Sequence, residues 1–376
     1  MEIIITMSII CIAILLLMQR SRVQLASPDR LSGNKWSYPP SLIVLFACVL
    51  IFVAAFREGF QDTGVYKNLY RAIGTDFQNA FDEEFVIQDR GFNILMVLLN
   101  RVNSDPQTLI IVCAVFITAV FVKIITTHSS DLPFSLFLML CVVFISTMNG
   151  IRQVLAGVII VLGWPLIHQR KAIPFMLLVL LASTFHASAI IMIPVYFVIS
   201  GKRYNLGIWI FLLFILICFI SPSTAYRILG DILEDSVYEK YLENESKMGV
   251  MRLIVELVPV LISLLYHRFT PRAEEACKRS KEEYARQRMI DIMINMQIVS
   301  LGFTALGLQM VYFARISMYF TLVLPILLPE VIKGVFTKSS AKLVKQIAIA
   351  MYLFCYAYQI YTYEMLDGWG GMEFIF

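Results

Sequence analysis

The apolar runs of this chain leave it few ways to fold. They recur near 3–18, 40–56, 106–125, 132–147, 151–167, 173–185, 187–199, 205–220, 251–267, 290–310, 316–332 and 343–362. Runs of this kind belong in a bilayer as helices, because no water is there to satisfy a free backbone. With 59% of its 376 residues hydrophobic and 15% charged, the chain is far too apolar for a soluble domain of its size. The expected fold is all-α: one polytopic integral membrane domain over 1–376, with about 11–12 membrane segments. Three polar connections of size lie between them, 57–105, 221–250 and 268–289. The seven cysteines include no CxxC pair, and all but Cys277 lie in apolar runs, which argues against a metal cluster or a disulfide framework.

Charge sets the sidedness. The stretch "EIIITMSIICIAILLLMQRSR" (2–22) has no basic residue ahead of its apolar part, and Arg20 and Arg22 follow it. A secretory signal has the opposite order, so a retained first helix with its N-terminus outside is expected. The run "LLVLLASTFHASAIIMIPVYF" (177–197) then decides the rest by parity. If 173–199 crosses once, the basic stretch 268–289 falls opposite the Arg20–Lys35 loop, against the positive-inside bias. If it is a broken hairpin, two arms meeting at "TFHAS", every basic loop lands on one side. That cytoplasmic side collects 20 of the 31 Lys and Arg and 8 of the 27 Asp and Glu, leaving 11 and 19 outside. Each arm is about 20 Å long, too short to cross the hydrocarbon, so the tip belongs in the outer half of the membrane. There it must face protein or a wet cavity. On this topology 57–105 is an outer loop with amphipathic helices, 221–250 a second outer loop, and 268–289 a basic cytoplasmic loop.

The hairpin tip carries His186. Its bland account is a hydrogen-bonded helix breaker; its chemical account is an acid–base group. In the same outer layer lies "FISTMNGIRQVLAG" (144–157), where Asn149 and Gly150 break the apolar pattern and Arg152 and Gln153 open the next helix. A guanidinium beside the unpaired N–H groups of a helix N-terminus is an anion site twice over. A snorkelling arginine would need neither Gln153 nor the break. Arg315, in "LQMVYFARISMYF" (308–320), is a further outer cation, and the tyrosines flanking it, Tyr312 and Tyr319, read most simply as an interfacial belt. In "FREGFQDTGVYKNLY" (56–70) Arg57 leaves the second apolar run, and Asp62, Tyr66 and Tyr70 share one helical face. "VIQDRGFNILMVLL" (86–99) reads as a short amphipathic helix on the outer surface.

These stretches, in this order, resemble the EpsG family of bacterial envelope polysaccharide proteins, related to the Wzy-type polymerases. The resemblance is carried by the Arg57-to-Asp62–Tyr66 stretch, "DRGF" (89–92), "NGIRQVLA" (149–156) and "FHASA" (185–189) followed by Pro194. The specific pair is N-x-x-R-Q-x-x-A followed by F-H-x-S-A, whose His186 lies 33 residues after Gln153. Two departures stand out: Thr63 follows Asp62 where the family usually has an aromatic, and "DRGF" replaces a glutamate–proline–glycine–phenylalanine pattern. The resemblance implies a GT-C-like glycosyltransferase of the bacterial cytoplasmic membrane, its active site facing outward. It would join oligosaccharide repeat units carried on undecaprenyl pyrophosphate, with capsule, exopolysaccharide and O-antigen all open as products. The implied partners are the bilayer, the polyprenyl-pyrophosphate-linked oligosaccharide, a flippase and a chain-length regulator. No nucleotide sugar, cofactor or nucleic acid is expected.

Roles follow from residue chemistry. Arg152, Arg315 and His186 are the catalytic candidates; Arg57, Asp62, Asp89, Gln153, Ser188 and Tyr319 are the substrate-binding ones. Each planar arginine fork binds two oxygens of a pyrophosphate and stays charged. A hydroxyl acceptor needs a general base, and His186 or the Asp62 carboxylate would serve, with Ser188 orienting the ring. In "FDEEF" (81–85), Asp82 and Glu84 have the spacing of a metal-binding acidic pair but fit a solvated patch better. A metal-independent reaction is therefore expected, with arginines in place of the cation. Rival readings remain. A lipid-linked-oligosaccharide flippase would spread cations through the membrane's depth, where basic residues are nearly absent. A membrane acyltransferase would want its arginine–histidine site on the first helices, yet the first histidine is His128, on the cytoplasmic side. A non-catalytic assembly component of a polysaccharide system shares every feature above.

Overall fold

In the computed structural model, which describes residues 2–25, 36–82, 89–221, 249–270, 280–365 and 373–374, nearly every apolar run is helix. Helix α1 (Glu2–Arg20) leads through a strand pair, β1 (Val23–Gln24) with β2 (Trp36–Ser37), to α2 (Pro40–Ala55), which starts on proline, where a missing N–H costs nothing. An amphipathic layer follows: β3 (Arg57–Gly59), α3 (Thr63–Ile73) and α4 (Arg90–Val102). Then come α5 (Gln107–His128), α6 (Leu132–Thr147), whose middle, Met139–Phe144, is π-helical, and α7 (Ile151–Leu162). A single turn, α8 (Trp164–His168), leads to α9 (Ala172–Ser183), α10 (Ala187–Ile199) and α11 (Leu206–Ile220). The last part holds α12 (Val250–Phe269), α13 (Lys281–Leu306), α14 (Val311–Phe320), α15 (Val323–Val335), α16 (Lys338–Met365) and β4 (Glu373–Phe374). β4 pairs antiparallel with β3, Arg57 opposite Phe374.

The protein is all-α and polytopic. Helices α1, α5, α12, α13 and α16 are each long and apolar enough to cross a membrane, and α14 with α15, bent by 64° at their break, make a sixth candidate. The other expected segments are six apolar helices of 10–17 residues. The centre is α13: 83% of its apolar window is inside the protein, against 28% for α12 and for α16, which turn most of their surface outward. That leaves rows of exposed Leu, Ile and Phe on the outer helices, as lipid contact requires.

The broken hairpin is present. Phe175 of α9 stacks on Tyr196 of α10 at 5.3 Å, so the two arms run antiparallel and the chain returns to the end it left. Its base is tied to α13 by a buried arginine. Arg288 donates from Nε to the His168 carbonyl at 2.8 Å and from Nη2 to the Ser200 carbonyl at 3.2 Å. These are carbonyls at helix C-termini, which lack intrahelical partners and take a cation well. Asn295 adds donations to the Ile199 and Lys202 carbonyls, at 3.2 and 3.0 Å, and Arg203 pairs with Asp291 at 3.3 Å.

One expectation is corrected here. The stretch 268–289 is not a loop throughout, because α13 begins at Lys281. Ser280 accepts from the Glu283 N–H at 3.0 Å, a Ser-x-x-Glu start that pulls the following residues into helix. Arg286 and Arg288 are thereby helical, Arg286 paired with Glu330 and Arg288 buried. Residues 271–279, most of the expected 221–250 loop, and Glu84 lie outside the described residues.

The His168–Lys171 turn and the Ser200–Arg203 turn thus share one end of the bundle, and the hairpin tip lies at the other. Single cysteines at Lys171 and Thr184, both exposed, should react with a membrane-impermeant thiol reagent from opposite faces of the membrane: Thr184→Cys from outside in intact cells, Lys171→Cys only after permeabilisation. Labelling of both from one face would rule out the hairpin as the device that restores the charge asymmetry.

Candidate active site

Three stretches far apart in sequence meet at the hairpin tip. Gly150 takes a left-handed conformation (φ +62°) between α6 and α7, which a side chain adopts only with strain, and it sends the chain directly into Ile151 and Arg152. On the other side, Asp89 sits at the start of α4 but makes no side-chain cap there. Its Oδ2 is paired instead with Arg152 Nη1, and its Oδ1 accepts from the Ala187 N–H at 3.3 Å. The Gly91 N–H donates to the Thr184 carbonyl at 2.8 Å. Both backbone groups lie where the hairpin breaks and helical bonding stops, so α4 supplies what the turn lacks. The approach is so close that a Cβ on Gly91 would stand 2.2 Å from Thr184 Oγ1 and 3.0 Å from its carbonyl oxygen.

His186, 6% exposed, has an extended backbone at the head of α10. Its Nδ1 lies 2.8 Å from Ser188 Oγ and 3.4 Å from Tyr319 Oη, and the two hydroxyls are 2.8 Å apart. Arg152 and Arg315 both act electrostatically on this ring. Gln153 Nε2 donates to the Arg315 carbonyl at 2.7 Å, which fastens α7 to α14. Tyr66, 3% exposed on α3, joins from above: burial pushes its hydroxyl up to about 12, against the Arg152 guanidinium that hydrogen-bonds it, while half-buried Asp62 pushes it further. Burial also pushes the Asp89 carboxyl above its ordinary range, against the pull of Arg152 and the Ala187 amide.

Of the residues singled out in the sequence, Asp89, Arg152, Gln153, His186, Ser188, Arg315 and Tyr319 are linked in this one cluster, with Asp62 at its edge through Tyr66. Arg57 is built differently. It is 3% exposed, with Nη1 on the Ala54 carbonyl and Nε on Thr63 Oγ1 at 3.1 Å, so it closes the end of α2. Tyr70 is fixed to the Asn103 carbonyl at 2.7 Å. Tyr319 overturns the belt reading: it is 1% exposed, with its hydroxyl held inside the protein 2.8 Å from Ser188 Oγ.

Sequence reasoning missed Tyr66 as a partner of Arg152, and it missed Arg252 and Glu256, 3.5 Å apart on α12. The available signal for the second pair was an arginine and a glutamate four residues apart at one end of an apolar run. Among the described residues no three His, Cys, Asp or Glu side chains are grouped to hold a metal ion.

A family model described as the EpsG family matches residues 41–370. No curated protein and no solved structure matches the chain.

The docking of α4 on the tip makes a direct prediction. Gly91→Ala forces α4 off Thr184, so detergent-purified protein should lose about 1–3 kcal/mol of stability, the range for overpacking a tight contact. A melting temperature equal to that of the unaltered chain would show that α4 and the tip are not held together this closely.

Proposed function

We propose, for a chain that belongs to the EpsG family, that it joins lipid-linked oligosaccharide repeat units on the outer face of the bacterial cytoplasmic membrane. Family membership implies a polymerase-like role in envelope polysaccharide synthesis, and the helices are those of a multi-pass membrane protein. The observation that carries the finer reading is the meeting of Arg152, through Asp89, with the tip that bears His186, Ser188 and Tyr319, and the tie of Gln153 to the Arg315 carbonyl that brings α14 to the same place.

In the reaction, an acceptor sugar hydroxyl attacks the anomeric carbon of the donor. The new glycosidic C–O bond forms as the bond to pyrophosphate breaks, and polyprenyl pyrophosphate leaves with the electron pair. Arg152 and Arg315 set their charge against the leaving group, in the part a divalent cation plays in other glycosyltransferases. Asp89 holds the Arg152 fork in position. The hydroxyl proton passes to His186, with Asp62 the competing base. In the tautomer whose Nδ1–H donates to Ser188 Oγ, the lone pair that takes the proton is on Nε2. Ser188 and Tyr319 then fix the ring plane.

The support for arginines over a simple positive field is chemical, and it is testable. Arg152→Lys keeps the charge but loses the fork, so it should impair polymer formation from a defined lipid-linked repeat unit nearly as much as Arg152→Ala. The expected loss is roughly 30- to 1000-fold, the scale of one preorganised charge-assisted contact of about 2–4 kcal/mol. Full polymerisation by Arg152→Lys at normal expression would refute the role. The same assay with chelator should leave the rate unchanged.

The base is tested separately. His186→Gln can still hydrogen-bond but takes no proton at neutral pH, so it should lose about 10²–10⁴-fold in rate with substrate binding largely kept. If His186→Gln polymerises normally and Asp62→Ala does not, the histidine is a cap on the hairpin and the chemistry belongs to the carboxylate.

A further inference from the structure

A second polar cluster lines a cavity of about 320 Å³ between α6, α12, α13, α15 and α16, a size ordinary for small-ligand sites. Arg252 donates from Nη2 to Ser317 Oγ at 2.7 Å. Glu256, one turn further along α12 and 7% exposed, accepts from Ser300 Oγ at 2.6 Å and Thr304 Oγ1 at 2.9 Å. Gln297 borders the same space and is 2% exposed. Its Nε2 reaches the Glu256 carbonyl at 3.5 Å, yet its Oε1 has no hydrogen-bond partner among the described residues. An acceptor left dry in a protein interior is costly and calls for a donor. One wall is the π-helical turn of α6, which brings in Cys141 and Val142; such turns inside α-helices are frequent at functional sites.

The chemistry of the walls narrows the occupant. A lipid phosphate offers acceptor oxygens and suits Arg252, but it has nothing to give Gln297. A sugar ring offers both sides of what is present: hydroxyl donors at its edge for Gln297 and Glu256, and apolar C–H faces for Phe320, Leu324 and the Tyr358 ring. The turn Ser317–Phe320 divides this cavity from the hairpin tip, with Ser317 against Arg252 and Tyr319 against Ser188. We infer that the Arg252–Glu256–Gln297 cavity is a saccharide seat, holding one sugar of the acceptor chain beside the reacting centre; the acceptor assignment rests on the polymerase reading.

The test uses the full chain in lipid nanodiscs and, as probe, unlipidated oligosaccharide fragments of the polysaccharide made by the strain that encodes it. Saturation-transfer NMR and calorimetry read binding without turnover. The fragments should bind, and Gln297→Leu should weaken them at least about five-fold, the share of one shielded hydrogen bond. That variant removes an unsatisfied acceptor, so its melting temperature should not fall. Tyr358→Ala, at an exposed position on the cavity wall, should weaken binding as well and provides a second variant that folds. Fragments that bind both variants as tightly as the unaltered chain overturn the seat, as does absence of binding. Displacement of the fragments by farnesyl phosphate that persists in Arg152→Ala overturns it too, by making the cavity itself a lipid site. If Gln297-dependent binding is found but no polymer forms from lipid-linked repeat units, the polymerase reading fails and the saccharide seat stands.

Discussion

A chain that turns back inside a membrane strands the backbone at its turn, and the rest of this structure depends on how that need is met. Asp89 accepts from Ala187 and Gly91 donates to Thr184, so the amphipathic helix α4 repairs the break in the α9–α10 hairpin. The same carboxylate is paired with Arg152. One side chain therefore couples the amphipathic layer, the start of α7 and the tip that carries His186. Remove it, and the Ala187 amide and the part-buried Arg152 guanidinium each lose the same acceptor at once, so these contacts are coupled rather than separable.

The buried arginines divide by what they touch. Arg57 and Arg288 spend donors on carbonyls at helix ends, and Arg203 on the Thr270 carbonyl and Asp291, so their charge is absorbed by the fold. Arg152 and Arg315 are only partly buried, and both act on the one imidazole at the tip. Burial alone would rank Arg203 and Arg57 above Arg152 as candidates. The identity of the partner reverses that order, because a guanidinium closing a helix end has little left for a ligand, whereas one set beside a histidine and a carboxylate is placed where charge can change.

Much of this was legible in the sequence, for physical reasons that can be named. The hairpin followed from charge parity: basic loops could be gathered on one side only if 173–199 returned to the face it left. His186, Arg152 and Gln153 were visible because each interrupts an apolar pattern that hydrocarbon would otherwise enforce. What was hidden depends on packing direction. Tyr319 looks like an interfacial aromatic until its hydroxyl is seen to meet Ser188 from another helix. Arg57 looks like a ligand group until Ala54 and Thr63 are seen to occupy it. Arg252 and Glu256 stood at a boundary between a polar connection and an apolar run, where a charge is expected and draws no notice. Gln297 was invisible because an amide in a long helix carries no sign of being left unsatisfied.

The tie between Arg288 and the hairpin base has a consequence for how the protein is made. Arg288 is 88 residues downstream of Ser200, so when α9 and α10 leave the ribosome their anchor has not yet been synthesised. Arms of 12 and 13 residues are too short to settle as ordinary stop-transfer segments. Until α13 arrives, the hairpin can rest only against the helices already made, with the open carbonyls at its base turned to the aqueous face. His186 is thus among the last parts of the cluster to be locked, although it is encoded near the middle of the chain, because its partner Tyr319 lies 133 residues further on.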